Sequence, residues 1–176
     1  EDTQLPKLSG GYITKVDKLS LGENVNWTYY NHIGQDVNFI HHEPKQEDIS
    51  FAQNQYIKSV FDKLEQSAAT NNSSPVNGFP SVIDVASFVD YMIISELASN
   101  ADSYQYSTFF HKERNGKLRA GPVWDFNLTY GNDLFQWGLD RSHTNVWQFD
   151  NWDNVGANFW RNLFKNQIFA CYFSKR

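Results

Sequence analysis

Asn100-Ala-Asp102-Ser-Tyr-Gln-Tyr-Ser107-Thr108-Phe-Phe-His111, followed by Lys112-Glu-Arg-Asn115-Gly116-Lys117-Leu-Arg-Ala120 and Gly121-Pro-Val-Trp-Asp125-Phe126-Asn127, is the stretch that decides how this chain is read. Asn115-Gly116 is a strong hairpin-turn signal, because both residues tolerate the positive φ that tight turns demand. Two short strands paired across that turn bring their outer ends together. Asp102 and Asp125 stand at those ends, so two carboxylates distant in sequence are expected to meet in one pocket. At about 4 Å and an effective dielectric of about 20, like charges repel by roughly 4 kcal/mol. Such a pair calls for a cation, a shared proton or more separation.

Upstream, Asp84 is placed to cap a helix that carries Val85, Phe88, Val89, Met92, Ile93 and Leu97 on one face and ends at Asn100, delivering Asp102 just beyond it. Before it, Ser50-Phe-Ala-Gln53 has the form of a capping box. Ala52, Tyr56, Ile57, Val60, Phe61, Leu64 and Ala68 then recur at three- and four-residue intervals, which predicts an amphipathic helix of about five turns. Asn71-Asn-Ser-Ser-Pro-Val-Asn-Gly78 reads as a loop. Tyr12 and Val16 alternate with polar positions as in a strand, and Val37–Ile40 form a second short strand inside a polar, aromatic-dotted stretch over 18–44. Residues 1–9 look like a linker. Downstream, Gly131-Asn132-Asp133 reads as a turn and 134–156 as a long ordered loop with short helical pieces. Phe159, Trp160, Leu163 and Phe164 suggest one closing helix, and Ile168 through Phe173 another. The class is α+β, mostly helical, with a short β-hairpin between two Asp-bearing loops. A length of 176 residues implies one domain over 1–176.

Composition narrows the function. The formal charge is −5 and no basic tract is present, which argues against nucleic-acid binding. No apolar run approaches the ~18 residues of a membrane span. The 14 Phe, 9 Tyr and 6 Trp suit a Phe-rich core, with aromatic ledges as the alternative use. Cys171, the single cysteine, excludes an internal disulfide, and its apolar neighbours favour a buried thiol. Four Asn-x-Ser/Thr sequons begin at Asn26, Asn71, Asn72 and Asn127 and matter only in a glycosylating host.

The order helix, Asp102, hairpin, Asp125-Phe126 is that of a phosphoryl-transfer site. In protein kinases one Asp takes the proton of the acceptor hydroxyl, a hairpin follows, and an Asp-Phe pair supplies a magnesium ligand. The bland alternative makes Asp102 a helix-end turn residue and Asp125 a side-chain-to-backbone bridge after Pro122.

Further motifs resemble one family, the spore coat protein H (CotH) kinases, bacterial proteins with a divergent protein-kinase-like fold. The matching residues are Gly10-Gly-Tyr-Ile with Val16-Asp17, Pro44-Lys45-x-Glu-Asp-Ile-Ser50, Gln53-x-x-Tyr56-Ile57 and Ile83-Asp-Val-x-Ser-Phe88-Val-Asp-Tyr91. Glu96-Leu97-x-x-Asn100-x-Asp102, Gly121-Pro-Val-Trp-Asp-Phe-Asn127 and Gly131-Asn132 continue the match over most of 10–133, and more loosely to the end of the chain. The resemblance implies a Ser/Thr protein kinase using ATP and Mg²⁺, with Asp102 catalytic and Asp125 a metal ligand. Where many kinase-like loops place a metal-binding Asn this chain has Ser107, whose oxygen can serve as a ligand. Where the family often has Asp it has Asn127.

No glycine-rich phosphate loop or strand lysine of the kinase type is found. The resemblance therefore implies the larger, C-terminal lobe, with an N-terminal lobe as its missing partner and little turnover by this chain alone. Expected partners are proteins with Ser/Thr acceptors, and the expected location is extracytoplasmic, on a bacterial cell surface or spore coat. The rival reading is a catalytically silent surface or coat-assembly module that binds through aromatic ledges. A glycosidase using the same two Asp residues is a third reading, and it requires a sugar-sized groove. His41-His42 beside Glu43 read as surface residues pointing to opposite faces of a strand. His32, His111 and His143 lack partners at ligand spacing, and Ser107 and Ser142 lack a nucleophile elbow.

Overall fold

The computed structural model describes residues 4–132, 145–151 and 156–176. The expected turn residue Asp133, most of the expected loop over 134–156, Ser142 and His143 lie outside the described residues. Five strands, β1 (Tyr12–Val16), β2 (Trp27–Tyr30), β3 (Asp36–Glu43), β4 (Thr108–Lys112) and β5 (Leu118–Ala120), form one antiparallel sheet in the order β2-β3-β1-β4-β5. The helices are α1 (Phe51–Ala69), α2 (Phe79–Val82), α3 (Val85–Leu97), α4 (Asn158–Lys165) and α5 (Gln167–Lys175).

The class is α+β, but the hairpin is not the isolated ribbon expected of a mostly helical lobe. It forms one margin of a sheet to which the 18–44 stretch contributes a full strand pair. Strand β2 has only four residues and one buried position, too little alternation to be read from sequence.

Local signals account for the helices. Ser50 accepts from the Gln53 amide while the Gln53 side chain accepts from the Ser50 amide, a complete capping box. Asp84 caps α3 by accepting from the Ser87 amide at 3.0 Å. Its other oxygen takes Arg119 at 2.6 Å, and its own amide donates to the Leu118 carbonyl, so the cap also fixes β5. The Ala120 amide donates to Ser87 Oγ, and a parallel bridge joins Ile83 to Leu118. The open side of the hairpin is thereby covered rather than left to pair with another chain.

Aromatic packing joins sheet and helices. Phe110, wholly buried on β4, has ring centroids at 5.3 Å from Phe61 of α1, 6.0 Å from Phe88 of α3, and 6.0 and 5.8 Å from Phe159 and Trp160 of α4. Phe39 of β3 lies 6.1 Å away. Three expectations fail here. Leu97 is exposed, its place on the buried face of α3 taken by Tyr91 and Ser95. Cys171 is exposed because α5 is the outermost helix and buries only Phe169. His41 is not a surface residue: it packs at 5.3 Å against Trp27, with Nε2 2.9 Å from Asn54 Oδ1.

Two consequences are measurable. Phe110→Ala removes a ring touching five others and is expected to cost about 3–5 kcal/mol, read as a lowered denaturation midpoint with an unchanged denaturant slope. Glu65 on α1 is largely buried, its Oε2 has no hydrogen-bond partner among the described residues, and burial pushes its carboxyl up to about 7, against a weaker opposing bond from the Phe159 amide. The folded state therefore binds more protons than the unfolded one between pH 4.5 and about 7. Its contribution is complete below pH 4.5 and declines as pH rises through about 7, by about 3 kcal/mol at most. Glu65→Gln should remove that slope and raise stability at pH 8, measured by denaturation across the pH range.

Candidate active site

The antiparallel pairing of β4 with β5 brings the outer ends of these two strands together. Only Asn115 of the turn pair takes a positive φ, 58°; Gly116 does not, because five residues separate the strands and a two-residue turn is not formed. Beyond β5 the ladder continues, with the Gly121 amide donating to the Phe109 carbonyl at 2.8 Å and His111 Nδ1 3.2 Å from the Gly121 carbonyl. The chain then turns away through exposed Pro122, Val123 and Trp124 to Asp125, which is exposed and left-handed (φ 56°, ψ 59°). One 3₁₀ turn, Phe126–Leu128, follows.

Asp102 lies on the other side. Helix α3 stops at Leu97, Ser99 is left-handed (φ 47°), and Asn100 is buried with Oδ1 accepting from the Asp102 amide at 3.3 Å. The Asp102 carbonyl accepts from the Tyr106 amide at 2.8 Å, closing a tight turn. Ser107, buried and left-handed (φ 47°), leads into β4.

Two backbone bonds tie the segments together. The Ala101 amide donates to the Leu128 carbonyl at 3.3 Å and the Tyr130 amide to the Ala98 carbonyl at 2.7 Å. The chain just after Asp125 is thus stitched to the chain on both sides of Ser99 and Asn100. Asp102 is half-buried and Asp125 exposed.

Backbone strain concentrates here. Of seven non-glycine residues with positive φ among the described residues, Ser99, Tyr104, Ser107, Asp125 and Tyr130 belong to these two segments. Left-handed backbone costs such residues roughly 1–2 kcal/mol each and persists only where surrounding structure over-determines it.

Tyr104 shows what holds it. Its ring is buried 5.8 Å from Tyr91 and 5.1 Å from Trp160, and its hydroxyl donates to Glu96 at 2.7 Å. Glu96 also accepts from the amides of Gln148 (2.6 Å) and Phe149 (3.2 Å). Burial holds the Glu96 carboxyl above its usual range, opposed by these three bonds. The sequence reading names Glu96 only within the Glu96-Leu97-x-x-Asn100-x-Asp102 match and gives it no role; here it fixes Tyr104 and the backbone at Gln148 and Phe149.

Among the described residues no three or more His, Cys, Asp or Glu stand together where they could hold a metal ion.

Comparison with known proteins adds one finding. A family model described as CotH kinase protein matches residues 6–172, nearly the whole chain. No curated protein and no solved structure matches it.

The left-handed backbone at Asp125 yields a prediction separable from chemistry. Asp125→Asn, which tolerates that conformation, should leave the thermal midpoint within about 1 °C. Asp125→Ala should lower stability by about 1 kcal/mol, read by chemical denaturation.

Proposed function

From the premise that this chain belongs to the CotH kinase protein family, we propose that it is the C-terminal-lobe part of a divergent protein kinase that moves the γ-phosphoryl group of ATP to Ser or Thr hydroxyls of a protein. The observation that carries this reading is the pair of backbone bonds linking the Asp102 and Asp125 segments, with left-handed backbone clustered at the same place.

In the proposed reaction Asp102 accepts a hydrogen bond from the acceptor hydroxyl and receives its proton as the oxygen–phosphorus bond forms. ADP leaves with the electron pair of the broken bond. Asp125, with Ser107, would hold Mg²⁺, which when bound supplies charge stabilisation for the transferring phosphoryl group. Asn100 and the Tyr106 amide fix the backbone of the turn in which Asp102 sits, which in this reading would limit the motion of the base before substrate arrives. The sequence has no glycine-rich phosphate loop, and we propose that the remaining nucleotide contacts come from a lobe outside this chain. A bacterial surface or spore-coat setting, where such an acceptor would be met, belongs to the same proposal.

A second reading, a silent binding module, draws on the exposed ledge of Trp124 and Tyr130 on either side of the 3₁₀ turn, 63% and 73% exposed. The two readings part in one assay. The chain, and any longer protein carrying it, is incubated with γ-labelled ATP, Mg²⁺ and a Ser-rich acceptor. Transfer that falls at least about 10²-fold in both Asp102→Asn and Asp125→Asn supports the kinase. Transfer undiminished in those variants overturns the assigned roles, and no calorimetric signal with Mg-ATP leaves the silent module.

A further inference from the structure

At the turn end of the hairpin, away from Asp102 and Asp125, a pocket of about 380 Å³ opens between the amino-terminal segment, α1, α2 and β4. Its polar lining includes Lys112, Lys63, Tyr56, Ser9, Ser81 and Asn115, and no carboxylate. Lys112 is 6% exposed and shares the inward face of β4 with Thr108 and Phe110. Its Nζ donates to the Ser9 carbonyl and lies 5.3 Å from the centroid of the Tyr56 ring. An ammonium has three N–H groups, so these contacts leave one for whatever enters the pocket.

The comparison with Lys15 is pointed. Lys15, also buried in this sheet, is neutralised by Glu23 at 2.8 Å. Lys112 makes no ion pair among the described residues, and neither does Lys63 on the pocket wall. Burial accordingly pushes the Lys112 ammonium below its ordinary range. A buried cation without a counter-ion is expensive, whereas a methionine would pack the same position without that cost.

The pocket is firmly walled. The Asn115 amide donates to Ser9 Oγ at 2.9 Å, and Ser9 Oγ donates to the Pro6 carbonyl at 2.6 Å. Gly10 lies so close to the turn that a Cβ there would stand 2.0 Å from the Arg114 nitrogen.

We propose that this pocket binds a phosphomonoester dianion, with Lys112 and Lys63 supplying the two positive charges and Tyr56 and Asn115 neutral hydrogen bonds at the rim. Two ammonium groups match a dianion better than a single carboxylate. The volume accommodates a phosphate together with the side chain that bears it. Free phosphate and a phosphorylated side chain of a polypeptide offer the same chemistry. The proposal does not rest on the kinase reading.

The test is calorimetry and thermal denaturation of the chain with inorganic phosphate, with a tripeptide carrying a central phosphoserine, and with its unphosphorylated form, against chloride at matched ionic strength. A thermal midpoint raised by about 5 °C at saturating phosphate or phosphopeptide is expected, with no rise from the unphosphorylated peptide. Affinity should fall at least about fivefold in Lys63→Ala and about tenfold in Lys112→Met. Tighter binding of the phosphopeptide identifies a polypeptide source, and binding no tighter than free phosphate identifies the free ion. An equal response to chloride, or unchanged affinity in both variants, overturns the proposal. If Lys112→Met fails to fold, Lys63→Ala, at an exposed position, decides alone.

Discussion

Phe110 is the constraint on which this structure rests. Its ring meets β3, α1, α3 and α4 at once. Edge and offset ring pairs contribute about 0.5–1.5 kcal/mol each beyond the area they bury. Five of them on one residue fix β4 against three helices at once. Because the two Asp-bearing loops spring from the same end of the hairpin, any slip of β4 would displace both together. Loops that spring from packed strands in this way are held more tightly than ones joined to other loops alone.

The two Asp-bearing segments themselves are held differently. Ser99, Tyr104, Ser107, Asp125 and Tyr130 all carry left-handed backbone, and none is glycine. Glycine at each would be cheaper locally but would lose more conformational freedom on folding. What offsets the strain is specific: the Tyr104 hydroxyl on Glu96, the Tyr91 hydroxyl 3.0 Å from Thr108 Oγ1, and the two backbone bonds to Leu128 and Ala98. Strain of this kind persists only because such dedicated contacts over-determine the backbone.

Much of this could be read beforehand where the signal is local. The Ser50–Gln53 box, the Asp84 cap, the helix periodicity of α1 and the hairpin at Asn115 depend on neighbours within a few residues, and each appears where expected. Long-range choices could not be read. Whether Leu97 or Tyr91 faces the core depends on where Trp160 and Tyr104 arrive, and those come from 63 and seven residues further along the chain than Leu97. His41 is buried because Trp27 of β2 covers it, and β2 itself gave no periodic signal. The candidate site divides along the same line. Asp102 and Asp125 were singled out from the hairpin between them, whereas the bonds that Glu96 accepts come from Gln148 and Phe149, whose approach nothing in the local sequence announces.

The two ends of β4 are chemically opposite. One carries Ser107 beside two acidic loops, the other Lys112 in a pocket lined with no acid. Five residues of strand separate them by about 17 Å at roughly 3.4 Å per residue. Lys112 is buried, so its charge is screened less than a surface charge at that distance would be. The strand itself also joins the two ends, through the Lys112 carbonyl that accepts from the Gly11 amide and the ladder that runs to Gly121. Phe110, packed midway along that path against Phe61, Phe88, Phe159 and Trp160, holds both ends to the same three helices.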